Sequence, residues 1–124
     1  MNRSTGFTLI ELITVIAILG ALAVIALPKF INLQDEAQEA AVQGVAGSLG
    51  AGSAINLAAR LAGDAAALTV ANCTDVPDTL AEGTLPTGYS IGSVALGGTL
   101  GGTATCVLTG PGTFTANFTG YAVP

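Results

Sequence analysis

The pattern of hydrophobic and polar positions begins with a long uncharged segment. Between Glu11 and Lys29, the seventeen residues Leu12–Pro28 carry no charge. The segment Phe7–Leu27 is apolar except for two threonines and Glu11. As a helix with a rise of about 1.5 Å per residue it would be roughly 30 Å long, which matches the hydrocarbon core of a bilayer. The pattern predicts a helix that can span a membrane.

The helical pattern continues beyond this segment as an amphipathic stretch. Apolar and small residues recur at helical spacing on one face, while Glu36 and Glu39 fall elsewhere. Gly63 is a typical stop signal, and Pro28 predicts a kink at the junction of the two stretches. We therefore expect one helix with an apolar first half and an amphipathic second half. The residues assigned to its apolar face are Ile31, Ala41, Val42, Val45, Leu49 and Gly52.

Four glycines within nine residues of this helix would each weaken it by roughly 1 kcal/mol relative to alanine. Because the apolar face continues through them, we interpret them as sites of close approach by another element. They are Gly44, Gly47, Gly50 and Gly52.

After about Leu68 the pattern changes to short runs rich in Thr, Val and aromatic residues, separated by Gly and Pro. In the last run Phe114, Ala116 and Phe118 alternate with polar residues. The predicted fold class is α+β, with a small C-terminal antiparallel sheet packed on the amphipathic half of the helix. The predicted strands are Leu68–Cys73, Tyr89–Leu96, Thr103–Thr109 and Phe114–Val123.

Three hypotheses compete for the apolar segment. A secretory signal peptide would be cut at a small-residue site such as Ala21-Leu22-Ala23. A plain membrane anchor is the second, and Arg3 on its N-terminal side would keep that end cytoplasmic. Both leave Glu11 unexplained, although a carboxylate in an apolar helix costs about 2.5–3.5 kcal/mol on insertion scales. The third hypothesis follows from a family resemblance.

The run Gly6-Phe7-Thr8-Leu9-Ile10-Glu11, followed by the apolar segment, resembles the N-terminus of type IV pilins and pseudopilins. The resemblance extends through Pro28, and the following Lys29–Asp35 is similar to pilins of the mannose-sensitive haemagglutinin type. It implies a leader of residues 1–6, cleavage by a prepilin peptidase between Gly6 and Phe7, and N-methylation of Phe7. It also implies that residues 7–28 form the membrane anchor and later the filament core, with 29–124 as the globular domain.

The resemblance gives Glu11 a role in assembly. The new amine at Phe7 of one subunit would pair with Glu11 of its neighbour, and a buried pair of this kind sets register because an unpaired buried charge costs about 3–5 kcal/mol. An alternative is local: Thr8 and Glu11 have the spacing of a capping box at a helix start. That alternative does not account for the uncharged run to Pro28.

Other charged residues allow further hypotheses. Lys29 could form inter-subunit ion pairs with a following acidic group, although solvated surface charges are an equal alternative. A second acidic set in a Pro-containing loop is a weak calcium candidate, and its spacing matches no stringent calcium motif, so we expect no metal site. The first set is Asp35, Glu36 and Glu39, and the second is Asp75, Asp78 and Glu82.

The two cysteines, Cys73 and Cys106, would form a disulfide if the chain is exported. Two free buried thiols are the alternative.

Composition argues against catalysis and nucleic-acid binding. The chain has no histidine, a net charge of −5 and three scattered basic residues, so it offers neither a recognisable catalytic constellation nor a basic cluster. We expect no enzyme, no cofactor and no direct nucleic-acid binding.

The expected function is a structural one. A pilin of this kind would be made in the bacterial inner membrane, be processed by the peptidase and polymerise with itself through the pilus assembly machinery. The extracellular filament would serve adhesion, surface attachment or motility. Two alternatives stay open: a type II secretion pseudopilin that forms a periplasmic piston, and a secreted binding domain released by ordinary signal-peptide cleavage.

Overall fold

A computed structural model describes residues 6–124, and the leader positions before Gly6 lie outside the described residues. The elements follow the order α1 (Leu9–Leu61), a short 3-10 helix (Cys73–Thr79), β1 (Ser90–Ile91), β2 (Thr103–Thr109), a second 3-10 turn (Pro111–Thr113) and β3 (Thr115–Tyr121). The three strands form an antiparallel sheet in the order β1-β2-β3. The predicted α+β fold, a long N-terminal helix followed by a small antiparallel sheet, is confirmed.

The chain divides into two compact units, one ending at Glu36 and the other comprising Ala37–Pro124. The division falls within α1, which continues through Pro28. The predicted kink at Pro28 and the predicted domain boundary after it remain predictions.

Helix α1 ends where the sequence predicts, at a hydrogen-bonded Schellman motif. The Gly63 amide donates to the Arg60 carbonyl and the Asp64 amide donates to the Ala59 carbonyl, both at 3.0 Å. Gly63 has φ +87°, a left-handed conformation that glycine adopts without the steric cost a Cβ brings. This motif satisfies carbonyls that the end of the helix leaves without an intrahelical partner.

The core of the second unit lies between the later turns of α1 and the sheet. Val42, Ala46 and Leu49 of α1 are buried, and they belong to one apolar cluster with Leu108 of β2 and Phe118 of β3. The predicted alternation in the last strand is confirmed, because Phe118 is buried and its polar neighbours are exposed. The helix face was predicted only in part: Ile31 and Ala41 are exposed.

Two predicted strands are wrong in extent. The run Leu68–Cys73 forms only isolated bridges, Val70 with Val123 and Asn72 with Ala95, before the chain turns into the first 3-10 helix. The run Tyr89–Leu96 contributes only β1. Its pairing is shared between two partners: the Gly92 amide donates to Val107 of β2, whereas Leu96 donates to Ala71. Too few residues of this run therefore pair with either partner to form a longer strand.

Two polar residues on the inner face of α1 are buried and bind backbone groups. The Ser53 hydroxyl accepts a hydrogen bond from the Tyr121 amide at 2.9 Å. The Asn56 side chain binds both backbone groups of Leu68, donating to its carbonyl and accepting from its amide, each at 2.8 Å. These side chains give the backbone groups of Tyr121 and Leu68 the hydrogen-bond partners that a further strand would have provided.

The four clustered glycines do not share one role. A Cβ added at Gly52 would lie 2.8 Å from Thr79 Oγ1, whereas one at Gly44 or Gly47 would have no atom within 4 Å in the described residues. Gly50 has only ordinary contacts with Phe118. The predicted close approach therefore holds at Gly52.

The tightest glycine contact lies in the sheet connection before the second 3-10 turn. A Cβ on Gly110 would overlap Val42 Cγ2 and would lie 3.0 Å from Tyr89 Cε1. Val42 is fully buried, so it has little room to move. We expect Gly110→Ala to lower the free energy of unfolding by about 1–3 kcal/mol, the usual cost of overpacking a core.

The measurement is denaturant unfolding of the full chain in detergent micelles. Gly47→Ala is the matched control: its site is open and helical, so we expect an unchanged or slightly raised stability. Equal stability of the two variants would contradict this description of the core.

Candidate processing and assembly site

The candidate site begins at two exposed residues before the first turn of α1. Gly6 and Phe7 are exposed, Phe7 with 84% of its surface accessible. Both precede the helix, which starts at Leu9, and a Cβ on Gly6 would meet no atom of the described residues within 4 Å. The peptide bond between them is therefore in non-helical, accessible backbone, as a protease substrate requires.

Glu11 closes a capping box with Thr8 at the start of α1. Its Oε2 accepts hydrogen bonds from the Thr8 amide and from Thr8 Oγ1, both at 2.8 Å. In return, the Glu11 amide donates to Thr8 Oγ1 at 3.4 Å. Both residues are exposed. The local alternative considered for Glu11 is thus present, and it uses one of the two carboxylate oxygens.

The segment that follows is not covered by any other part of the chain that the structure describes. This part of α1 is long and apolar enough to cross a membrane, and none of its most apolar window is buried. Large apolar side chains all along it are exposed, from Leu9 to Leu27. Such a surface needs lipid or protein around it, because contiguous apolar patches of this size mark interaction sites.

The charged residues beyond Pro28 also lie on the surface. Lys29, Asp35, Glu36 and Glu39 are all exposed. Of the four, Glu39 accepts a hydrogen bond at 3.4 Å, from the Gln43 side chain. Whether they pair between subunits remains a prediction.

The cysteines form a buried disulfide. Cys73 and Cys106 are bonded, with their Cα atoms 5.6 Å apart, and both are fully buried. The bond joins the start of the first 3-10 helix to the middle of β2. It ties the loop after α1 to the sheet, in agreement with the exported-chain hypothesis.

The acidic loop has a structural role at one of its three carboxylates. Asp75 Oδ2 accepts hydrogen bonds from the amides of Ala71 and Asn72, at 3.0 and 2.8 Å, and so caps the first 3-10 helix. Asp78 is exposed. Within residues 6–124, no group of three or more acidic, cysteine or histidine side chains is arranged to hold a metal ion.

Sequence reasoning missed Ser53 and Asn56 as anchors of the sheet unit. The available signal was polar residues three positions apart on a helix that is otherwise apolar or small over Ala51–Leu57. Apolar periodicity cannot identify such residues, because it assigns polar side chains to the solvent face.

The N-terminal sequence matches a known motif. Residues 1–27 match the family model described as the prokaryotic N-terminal methylation motif. The chain is also 47% identical over 53 residues to a type IV narrow pilus major component of Thermus thermophilus, a match that covers 43% of this chain and 46% of the relative. No solved structure matches.

Two further relatives carry similar names. A type IV major alpha-pilin of Moraxella bovis is 52% identical over 52 residues, covering 42% of this chain and 31% of the relative. A type IV major pilin of Myxococcus xanthus is 54% identical over 37 residues, 30% of this chain and 17% of the relative. The chain thus matches less than half the length of these relatives.

On these matches, the chain is similar to type IV pilins over less than half of its length, and it carries the N-terminal methylation motif.

The capping role of Asp75 leads to a test of the acidic loop. We expect Asp75→Ala to lower the free energy of unfolding by about 1–2 kcal/mol, because it leaves two backbone amides without their acceptor. The loss should be the same in calcium and in a calcium chelator. It is measured by denaturant unfolding of the detergent-solubilised chain.

Asp78→Ala serves as the control, since exposed substitutions usually change stability by less than about 0.5 kcal/mol. A wild-type stability that rises with calcium, and loses that rise in Asp75→Ala, would contradict the capping role and restore the calcium hypothesis.

Proposed function

We propose that this chain is a structural subunit that polymerises with itself into an extracellular type IV pilus filament. The observation that carries the proposal is an accessible Gly6–Phe7 bond next to a helix whose uncharged first part is fully exposed. A membrane covers that surface before assembly, and neighbouring subunits cover it afterwards. The motif match over residues 1–27 supports the same sequence of events.

Processing is the first step of the proposal. Hydrolysis by a prepilin peptidase breaks the Gly6–Phe7 peptide bond, leaves a carboxylate on Gly6 and frees the amine of Phe7, which is then methylated. The absence of a side chain at Gly6 gives an enzyme close access to the backbone. The apolar helix stays with the mature chain and holds it in the inner membrane until assembly.

Assembly is the second step, and Glu11 directs it. Oε2 is held by Thr8, while Oε1 is available to accept a hydrogen bond from the amine of Phe7 on an adjacent subunit. Because lipid and a protein core are similarly apolar, transfer of the helix between them provides little driving force. The buried pair provides register, since a subunit out of register leaves a charge without a partner.

The assembly machinery of the pilus supplies the work of extraction from the membrane. The filament serves adhesion, surface attachment or motility, and the subunit has no enzymatic role. A pseudopilin would share the processing step but would form a periplasmic piston without a surface filament, so the presence of surface filaments separates the two functions.

The proposal is tested by separating the charge of Glu11 from its capping role. Glutamine at this position can still accept the Thr8 amide in a capping box, but it cannot neutralise an amine. We expect Glu11→Gln and Glu11→Ala both to be processed and inserted in the membrane, and both to lose filaments. Filaments are sheared from the cells and counted relative to the processed subunit in the membrane.

Each pattern of outcomes has a distinct meaning. Filaments from Glu11→Gln at the wild-type level, with none from Glu11→Ala, would mean that Glu11 acts through the capping box alone. Wild-type filament yield from both variants would remove Glu11 from assembly altogether.

A further inference from the structure

The basic residues of the chain are few, and only one is free for an inter-subunit contact in a processed subunit. The three are Arg3, Lys29 and Arg60. Arg60 is half-buried, and its Nη2 donates to the Ala67 carbonyl at 3.0 Å. Cleavage after Gly6 removes Arg3. Lys29 is therefore the exposed side-chain cation that the mature subunit can offer to a carboxylate of its neighbour.

Lys29 has no acidic residue three or four positions away on its own helix with which to form an ion pair. Intrahelical ion pairs need opposite charges three or four positions apart. The residues at that spacing from Lys29 are Ile25, Ala26, Asn32 and Leu33. The positions three and four away from Glu36 likewise hold no basic residue. Each of these two charges therefore requires solvent or another chain.

Helix geometry selects Glu36 among the three carboxylates that follow. At 3.6 residues per turn, Glu36 lies about 20° around the helix from Lys29, Glu39 about 80° and Asp35 about 120°. Glu39 has a partner in Gln43, at 3.4 Å. Lys29 and Glu36 also line the same shallow groove on the helix surface. Opposite charges thus lie on one face, two turns apart.

We propose that Lys29 of one subunit pairs with Glu36 of an adjacent parallel subunit that is displaced by two helical turns, about 10.5 Å. This inference rests on the proposed function, because it needs parallel α1 helices bundled in a filament. In such a bundle, every helix turns the same face towards the bundle axis. When neighbouring helices are displaced by two turns along the bundle axis, Lys29 of one helix lies at the same height as Glu36 of the next.

Apolar side chains beside the two charges make the pairing selective. Phe30 and Leu33 line the same groove and have 70% and 59% of their surface exposed in the subunit. Packed between helices, they would exclude water from the ion pair. In that environment a displacement by one turn leaves both charges without partners, which is strongly unfavourable. The pair therefore fixes the offset between subunits.

The test is a charge exchange, read as sheared filament per processed membrane subunit. We expect Lys29→Glu and Glu36→Lys each to reduce that yield by roughly ten-fold or more, because each brings like charges together. The double variant Lys29→Glu/Glu36→Lys should restore it. The matched control Lys29→Glu/Asp35→Lys carries the same charges, but position 35 lies on a different face of the helix. We expect that this control does not restore the filament yield.

Carbodiimide treatment of wild-type filaments gives a second measurement. The reagent joins an amine to a contacting carboxylate with loss of water, so a Lys29–Glu36 cross-link in multimers on a denaturing gel is expected. Two results would overturn this pairing but not the proposed function. In the first, the wild-type chain forms filaments but the double variant does not restore the yield. In the second, Lys29 is cross-linked to Asp35 or Glu39. Failure of the wild-type chain to form filaments would overturn both.

Discussion

The structure depends on one constraint: the apolar first part of α1 must be covered by something other than its own chain. Large apolar residues are exposed along the whole segment from Leu9 to Leu27, and no residue in its most apolar stretch is buried. Water is a poor solvent for such a surface. Lipid and a bundle of like helices are the two environments that suit it. In the function proposed above, membrane insertion and then polymerisation cover this surface in turn.

The unit Ala37–Pro124 meets the opposite requirement, since it closes a core of its own. Its core combines the later turns of α1 with β2 and β3. Ser53 and Asn56 complete the backbone pairing of Tyr121 and Leu68, and a buried disulfide ties the intervening loop to the sheet. A small unit with few strands gains stability from such additional restraints.

How far the sequence predicts this protein depends on whether a feature is local. The stop at Gly63 and the strand Thr103–Thr109 are set by residues nearby in the chain, and both were predicted. The capping box at Thr8 and Glu11 is equally local, and it was one of the two hypotheses for Glu11. The two shortened strands were not, because their hydrogen bonds depend on partners far along the chain. The contact of Gly110 with Val42 likewise depends on tertiary packing that no local pattern encodes.

The most direct test of the central claim is the intact mass and N-terminal peptide map of filaments sheared from cells that make this chain. We expect a chain that begins at Phe7, carries one added methyl group and lacks two hydrogens because Cys73 and Cys106 are bonded. A soluble chain in the medium that begins near Lys29 would contradict it, because the apolar helix would then be a discarded signal peptide rather than the filament core.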